Sequence, residues 1–219
     1  MNARGDRMSA SPGWVVLSWL LAGVVWAPSV SAQTSPSPYT YGTRYDLMGR
    51  VTGTLAPDPD GAGVLKYQAV RNTYDAAGRL TKVESGELAT WFSEATAPAG
   101  WTGFTVYRVV DVSYNAQNQK TLEVVKGSDA IATAATQSGY DTFGRLQCST
   151  VRMNPALYGS LPSACTLGSQ GAFGPDRIAK NTFDAAGRLT KVQLAVGTSL
   201  AQDYATYTYS GNGNRTGVT

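Results

Sequence analysis

A chain of 219 residues with 24 glycines, 12 tyrosines, no histidine and a formal net charge of +3 is long enough for a single domain behind a leader. The missing histidine excludes Ser-His-Asp and Cys-His catalysis and the usual zinc ligand sets. The arginines are dispersed rather than clustered, so no nucleic-acid partner is expected.

At the N-terminus, Arg4 and Arg7 precede an apolar run from Trp14 to Trp26, followed by Pro28 and then Val30-Ser31-Ala32-Gln33. This is the pattern of a basic region, an apolar region and a small-residue cleavage site, and it predicts a signal peptide over 1–32. The alternative is a membrane anchor, but the run is shorter than the roughly 20 residues that cross a bilayer. An exported protein is therefore expected, secreted or held at the cell envelope, with no membrane insertion once the signal is removed. Residues 33–38 are rich in Ser and Pro and predict a flexible lead-in.

From residue 39 onward one short pattern recurs six times: YDLMGRV (45–51), YDAAGRL (74–80), YNAQNQK (114–120), YDTFGRL (140–146), FDAAGRL (183–189) and YSGNGNR (209–215). A repeated unit of this kind predicts stacked supersecondary elements that complete each other's core. Here the unit is a β-hairpin. In the copy headed by Tyr74, Asp75 opens the turn through its side chain, Ala76 and Ala77 take the central positions of a type I turn, and Gly78 supplies a left-handed residue. Arg79 then faces Asp75 as an exposed ion pair, which contributes little. Leu80 faces Tyr74 as a cross-strand pair.

The same reading places Tyr45, Asp46, Gly49 and Arg50 in the first hairpin, and Tyr140, Asp141, Gly144 and Arg145 in the fourth. Phe183, Asp184, Gly187 and Arg188 occupy the fifth. In the third copy Asn118 stands for the glycine and the neutral pair Asn115/Gln119 for the ion pair, so this hairpin is expected to be the weakest. Val83 falls on the face opposite Leu80 in a regular strand, so either both faces are partly covered or a bulge intervenes.

Successive aromatic heads are 29, 40, 26, 43 and 26 residues apart, and alternate heads 69, 66, 69 and 69. The larger unit is thus a pair of hairpins with a longer insertion in alternate connections. Insertions in such arrays tend to fall on one face. Cys148 and Cys165 flank the longest insertion and, in an exported chain, are expected to form a disulfide. The alternatives are two free thiols or a metal site that lacks further ligands.

No cofactor or metal is expected. Asp58-Pro59-Asp60-Gly61 is read as a turn, because the later ligands of a calcium loop do not follow it. Asn214-Arg215-Thr216 matches a glycosylation acceptor, a short pattern that chance also supplies. Tyr39/Tyr41 and Tyr207/Tyr209 alternate along strands and either fill an interface between repeats or present rings that stack on sugars.

The recurring YDxxGRL, with its YDxxGNR variant, resembles the YD repeats of the Rhs family, which includes bacterial Rhs proteins, toxin-complex shell subunits and teneurins. The resemblance covers about residues 39–219. It implies an all-β array of hairpins in an extended, curved antiparallel sheet, a strip of the kind that encloses cargo, and an association with carbohydrate. Its implied partners are further YD repeats or the closing region of a larger shell. Shell-forming members carry many more repeats and a Pro-rich closing region, so the chain is expected to be an N-terminal piece or a short member. The expected role is a non-catalytic structural strip of a cell-surface or toxin-delivery shell. A free-standing carbohydrate-binding or adhesion module is second, and a glycosidase a distant third.

Overall fold

The computed structural model describes residues 40–61 and 63–219. The predicted signal peptide, the lead-in and Tyr39 lie outside the described residues. Twelve strands follow one another: β1 (Gly42–Tyr45), β2 (Val51–Leu55), β3 (Tyr67–Tyr74), β4 (Leu80–Leu88), β5 (Phe104–Tyr114), β6 (Lys120–Lys126), β7 (Ala132–Tyr140), β8 (Leu146–Arg152), β9 (Arg177–Phe183), β10 (Leu189–Leu194), β11 (Gln202–Tyr209) and β12 (Arg215–Val218). They form one open antiparallel sheet whose spatial order is the order in sequence. Among the described residues the helical turns are two short 3-10 segments, Pro98–Gly100 and Pro155–Leu157. The all-β hairpin strip expected from the repeats is what the chain forms.

Each motif closes a hairpin. The Gly78 N–H donates to the Asp75 carbonyl and the Asp75 N–H to the Arg79 carbonyl, both at 2.9 Å. Gly78 sits at φ 80°, where a β-carbon would be strained. The third copy keeps this shape with Asn118 at φ 63°, as Asn tolerates the left-handed region better than most residues. The β6–β7 connection uses the same turn without the motif. The Gly127 N–H bonds the Ile131 carbonyl, the Ala130 N–H bonds the Gly127 carbonyl, and Ala130 is the left-handed residue at φ 62°.

A bulge follows every motif turn, because the pairing skips one residue on the second strand: Thr52, Thr81, Thr121, Gln147, Thr190 and Thr216. The hydroxyls of Thr81, Thr121 and Thr190 donate across the hairpin to the carbonyls of Thr73, Ser113 and Thr182 at 3.1–3.2 Å. The bulge settles the position of Val83. Val83 pairs with Asn72 and Leu80 with Tyr74, and Asn72 and Tyr74 share a face of β3 because side chains alternate along a strand. Leu80 and Val83 therefore lie on the same face.

Followed strand to strand, the register puts all six aromatic heads on one face. Both long insertions cover the other. Residues 89–103 lay Trp101 over Leu55, Ala69 and Leu88, with Trp91 and Phe92 at the margin. Gly53 has no side chain there because a β-carbon would come within 2.6 Å of Pro98 and Trp101. Residues 153–176 cover Cys148 and Ile178 with Ala164 and Leu167. Cys148 and Cys165 are bonded at 2.06 Å. Arg152 is 2% exposed and spends its guanidinium on the Gln137 side chain, the carbonyls of Pro162, Ser163 and Thr166, and Asp176. Asp176 also accepts the N–H groups of Met153 and Gly168. Burial works to raise the Asp176 pKa, but these two N–H donors and the Arg152 guanidinium outweigh it and hold it below the ordinary carboxylate value.

Candidate functional site

The Asp of each complete motif is a clamp within its own hairpin. One oxygen of Asp75 accepts the N–H of Ala77 and of Arg79, at 3.0 and 2.9 Å, and the other takes Arg79 Nε at 2.7 Å. Asp46, Asp141 and Asp184 hold Arg50, Arg145 and Arg188 in the same way. The backbone N–H of the following arginine is the main reason that Asp46, Asp75 and Asp184 have pKa values below the ordinary carboxylate value. At Asp141 partial burial opposes the shift, and the Arg145 N–H and guanidinium prevail.

The clamped arginine is aimed at the next hairpin. Arg50 lies over the ring of Tyr74 at 4.6 Å, Arg79 over Tyr114 at 4.9 Å, Arg145 over Phe183 at 4.4 Å and Arg188 over Tyr209 at 4.8 Å. These are cation–π distances. Arg79 and Arg188 also reach the turn carbonyls of Asn115 and Ser210 at 3.2 Å. The head returns a hydrogen bond to the carbonyl just after the arginine position. Tyr74 donates to Val51, Tyr114 to Leu80, Tyr140 to Lys120 and Tyr209 to Leu189, at 2.7–3.0 Å.

Exceptions follow the same rule. Phe183 has no hydroxyl, and Asn181, two residues earlier, donates to the Leu146 carbonyl at 3.0 Å instead. Asn72 occupies the corresponding place before Tyr74 and doubles its bond to Val51. In the third copy Gln119 replaces arginine and donates to the Gly144 carbonyl at 2.5 Å. The motif residues named from the sequence thus pair between neighbours in a row and do not converge on one spot. The expected exposed ion pair within the hairpin is one half of a joint between hairpins, and a single motif read alone does not reveal the other half. Tyr45, the first head, is 63% exposed, and among the described residues no arginine lies over it.

Two further features were not singled out by the motif. One is the buried Arg152–Asp176 pair, which no repeat signals. The other is an open cleft of about 680 Å³ on the face that carries the heads, near the β2–β3 connection, lined by Tyr41, Asp58, Lys66, Gln68, Glu87 and Tyr107. Tyr107 is the extra residue of a bulge in β5 opposite Ser85 and Gly86. A β-carbon on Gly86 would come within 1.9 Å of the Thr105 carbonyl. The Tyr107 hydroxyl donates to Glu87 at 2.8 Å, which raises its pKa. Among the described residues no cluster of three His, Cys, Asp or Glu is placed to hold a metal ion, and no helix is long and apolar enough to cross a membrane.

No protein-family model matches the chain, and no curated protein matches it. Among solved structures, the chain is similar to the crystal structure of TcdB2-TccC3-TEV at 19% identity, over 80% of this chain and 9% of that one, with a TM-score of 0.35. It is also similar to TcdB2-TccC3 without its hypervariable C-terminal region, at 15% identity over 82% of this chain and 10% of that one, with a TM-score of 0.26. The chain spans about a tenth of the length of these structures.

Proposed function

We propose that this chain is a non-catalytic structural strip of YD-repeat type, a segment of a larger exported shell whose neighbouring repeats continue its sheet. One observation carries the reading: the Asp, Arg and aromatic residues of the motif are consumed in joints between successive hairpins. A carboxylate that accepts two N–H groups and a guanidinium is committed to structure rather than to proton transfer. Export rests on the basic and apolar pattern of residues 1–32. The family resemblance rests on the motifs themselves.

The second reading is a carbohydrate-binding module, and the cleft at Tyr41 and Tyr107 favours it. Tyr41 is 76% and Tyr107 51% exposed, and Gln68, Asp58 and Glu87 beside them could accept or donate to hydroxyl groups. Mass spectrometry of the native gene product separates the two. Peptides that continue past Thr219 into further aromatic–Asp–Gly–Arg hairpins support the strip. A product that ends at Thr219 and binds a saccharide on a glycan array, with binding lost in Tyr41→Ala and Tyr107→Ala, supports the module.

A further inference from the structure

Three of the joints hold a cleft between the earlier turn and the later head, and equivalent residues build all three. Arg50, Thr52, Asn72 and Tyr74 bound the cleft of the first joint, and Arg145, Gln147, Asn181 and Phe183 that of the fourth. Gln119, Thr121, Ser138 and Tyr140 bound that of the third. The two clefts with an arginine have volumes of about 300 and 320 Å³, and the third about 640 Å³. Two residues make the extra room: Gln119 stands where the others have arginine, and Gly139 where they have Thr73 and Thr182. The second cover favours that glycine, because a β-carbon on it would come within 3.0 Å of that of Ala164.

What the third joint lacks is a cation over its ring. Arg50, Arg79, Arg145 and Arg188 lie 4.4–4.9 Å from the centres of their heads. Among the described residues no arginine lies over Tyr140. The receiving carbonyl is in place. Arg79 and Arg188 donate to the carbonyls of Asn115 and Ser210, each directly after its head and each already accepting an N–H of its own turn. The equivalent carbonyl here is that of Asp141, which accepts the Gly144 N–H and has a second lone pair. Gln119 does not use it, because its amide donates to the Gly144 carbonyl instead.

We propose that the third joint is a docking site for an arginine side chain of a partner protein. The guanidinium lies over the Tyr140 ring and donates to the Asp141 carbonyl, as Arg79 and Arg188 do at their own heads. Arginine is favoured over lysine, because a planar guanidinium stacks on a ring while its N–H groups still reach acceptors at the side. The amide oxygens of Gln117 and Gln119 in the lining are further acceptors. The carboxylate of the lining, Asp141, is already held by Arg145. The site therefore selects by ring and carbonyl geometry rather than by opposite charge, and binding of an isolated side chain is weak, on the order of millimolar. The site lies inside the sheet, between the third and fourth hairpins, so the inference goes beyond the strip reading and uses nothing about what continues the sheet.

The test is NMR of the full chain titrated with N-acetylarginine amide, with N-acetyllysine amide as a control of equal charge. The arginine compound is expected to shift the signals of the Gln119 side-chain amide, Tyr140 and Asp141, and to saturate them. The lysine compound is expected to bind roughly three- to tenfold more weakly. Gln119→Arg supplies the guanidinium from within the chain and is expected to abolish the shifts and raise the melting temperature. Tyr140→Phe keeps the ring and is expected to retain them. Shifts of equal size in Gln119→Arg, equal binding of the two compounds, or no shift at these three residues would overturn the proposal. So would a saccharide that shifts them where the arginine compound does not. If Gln119→Arg does not fold, the wild-type preference between arginine and lysine at these residues decides the matter alone.

Discussion

The joints on one face and the covers on the other are built on opposite plans. A joint is a set of small, redundant terms: a clamped arginine over a ring, a hydroxyl on a carbonyl, and in places an asparagine beside it. The chain repeats it five times and tolerates Gln119 or Phe183 in place of the usual residues. A cover occurs twice, and both bury apolar residues of the sheet, but different groups lock each one. Residues 89–103 close over the sheet with Trp101, Phe92 and Pro98, and residues 153–176 close with a disulfide and the buried Arg152–Asp176 pair. Stability that is repeated can be lost piecemeal. Stability concentrated in one buried pair cannot.

The contrast is broken most sharply at Asp176. Asp176→Ala leaves the Arg152 charge buried without its partner, a loss of about 3–5 kcal/mol, to be read by urea denaturation. Because the folded pKa of Asp176 lies below its unfolded value, its contribution is present above about pH 4 and disappears as the pH falls through the folded value. Hydrogen exchange in residues 153–176 should rise over that interval in the wild type and stay flat in Asp176→Ala. Reduction of the Cys148–Cys165 bond should cost about 3 kcal/mol in the chain-entropy model. In hydrogen exchange it should loosen 153–176 while leaving 89–103 unchanged. Equal loosening of both covers would mean that they are not independent.

The joints and their turns should yield smaller numbers. Gly187→Val forces a β-branched residue to φ 82° and should cost about 1–3 kcal/mol, against a near-neutral Ala185→Val in the same turn. Equal melting temperatures would place the left-handed residue elsewhere. Asn181→Ala removes the hydrogen bond that the Leu146 carbonyl accepts in the joint at Phe183 and should cost about 1 kcal/mol. Asn72→Ala should cost less, because Tyr74 still donates to Val51. If the two asparagine variants melt alike, the redundancy described for the joints is not real.

Much of the strip was legible in the sequence. The turn residues, the left-handed glycines and the alternate insertions all follow from local chemistry acting within a few residues. The link from each arginine to the next head was not, because it spans the whole insertion between hairpins and leaves no local pattern. Its one written trace is the Asn of Asn-Thr-Tyr at 72–74 and Asn-Thr-Phe at 181–183, which marks a donor two residues before the head. The bulge is not legible locally, because threonine after the turn suits a regular strand equally well. The turn at Ala130 has no local signal, because nothing in an alanine announces a positive φ. Arg152 and Asp176 occur once each, outside the repeat, and only burial makes them partners.

The order of the strands in space is the order in which they are synthesised. Among the described residues no strand waits for a partner that lies further along the chain than its next neighbour, and each finished hairpin presents a ready edge to the one that follows. Pairings between near neighbours in sequence are the fast ones to form. The sheet can therefore grow from its N-terminal hairpins while the rest of the polypeptide is still leaving the ribosome. A stalled or truncated chain would then carry a correctly paired, shorter sheet rather than a misfolded one.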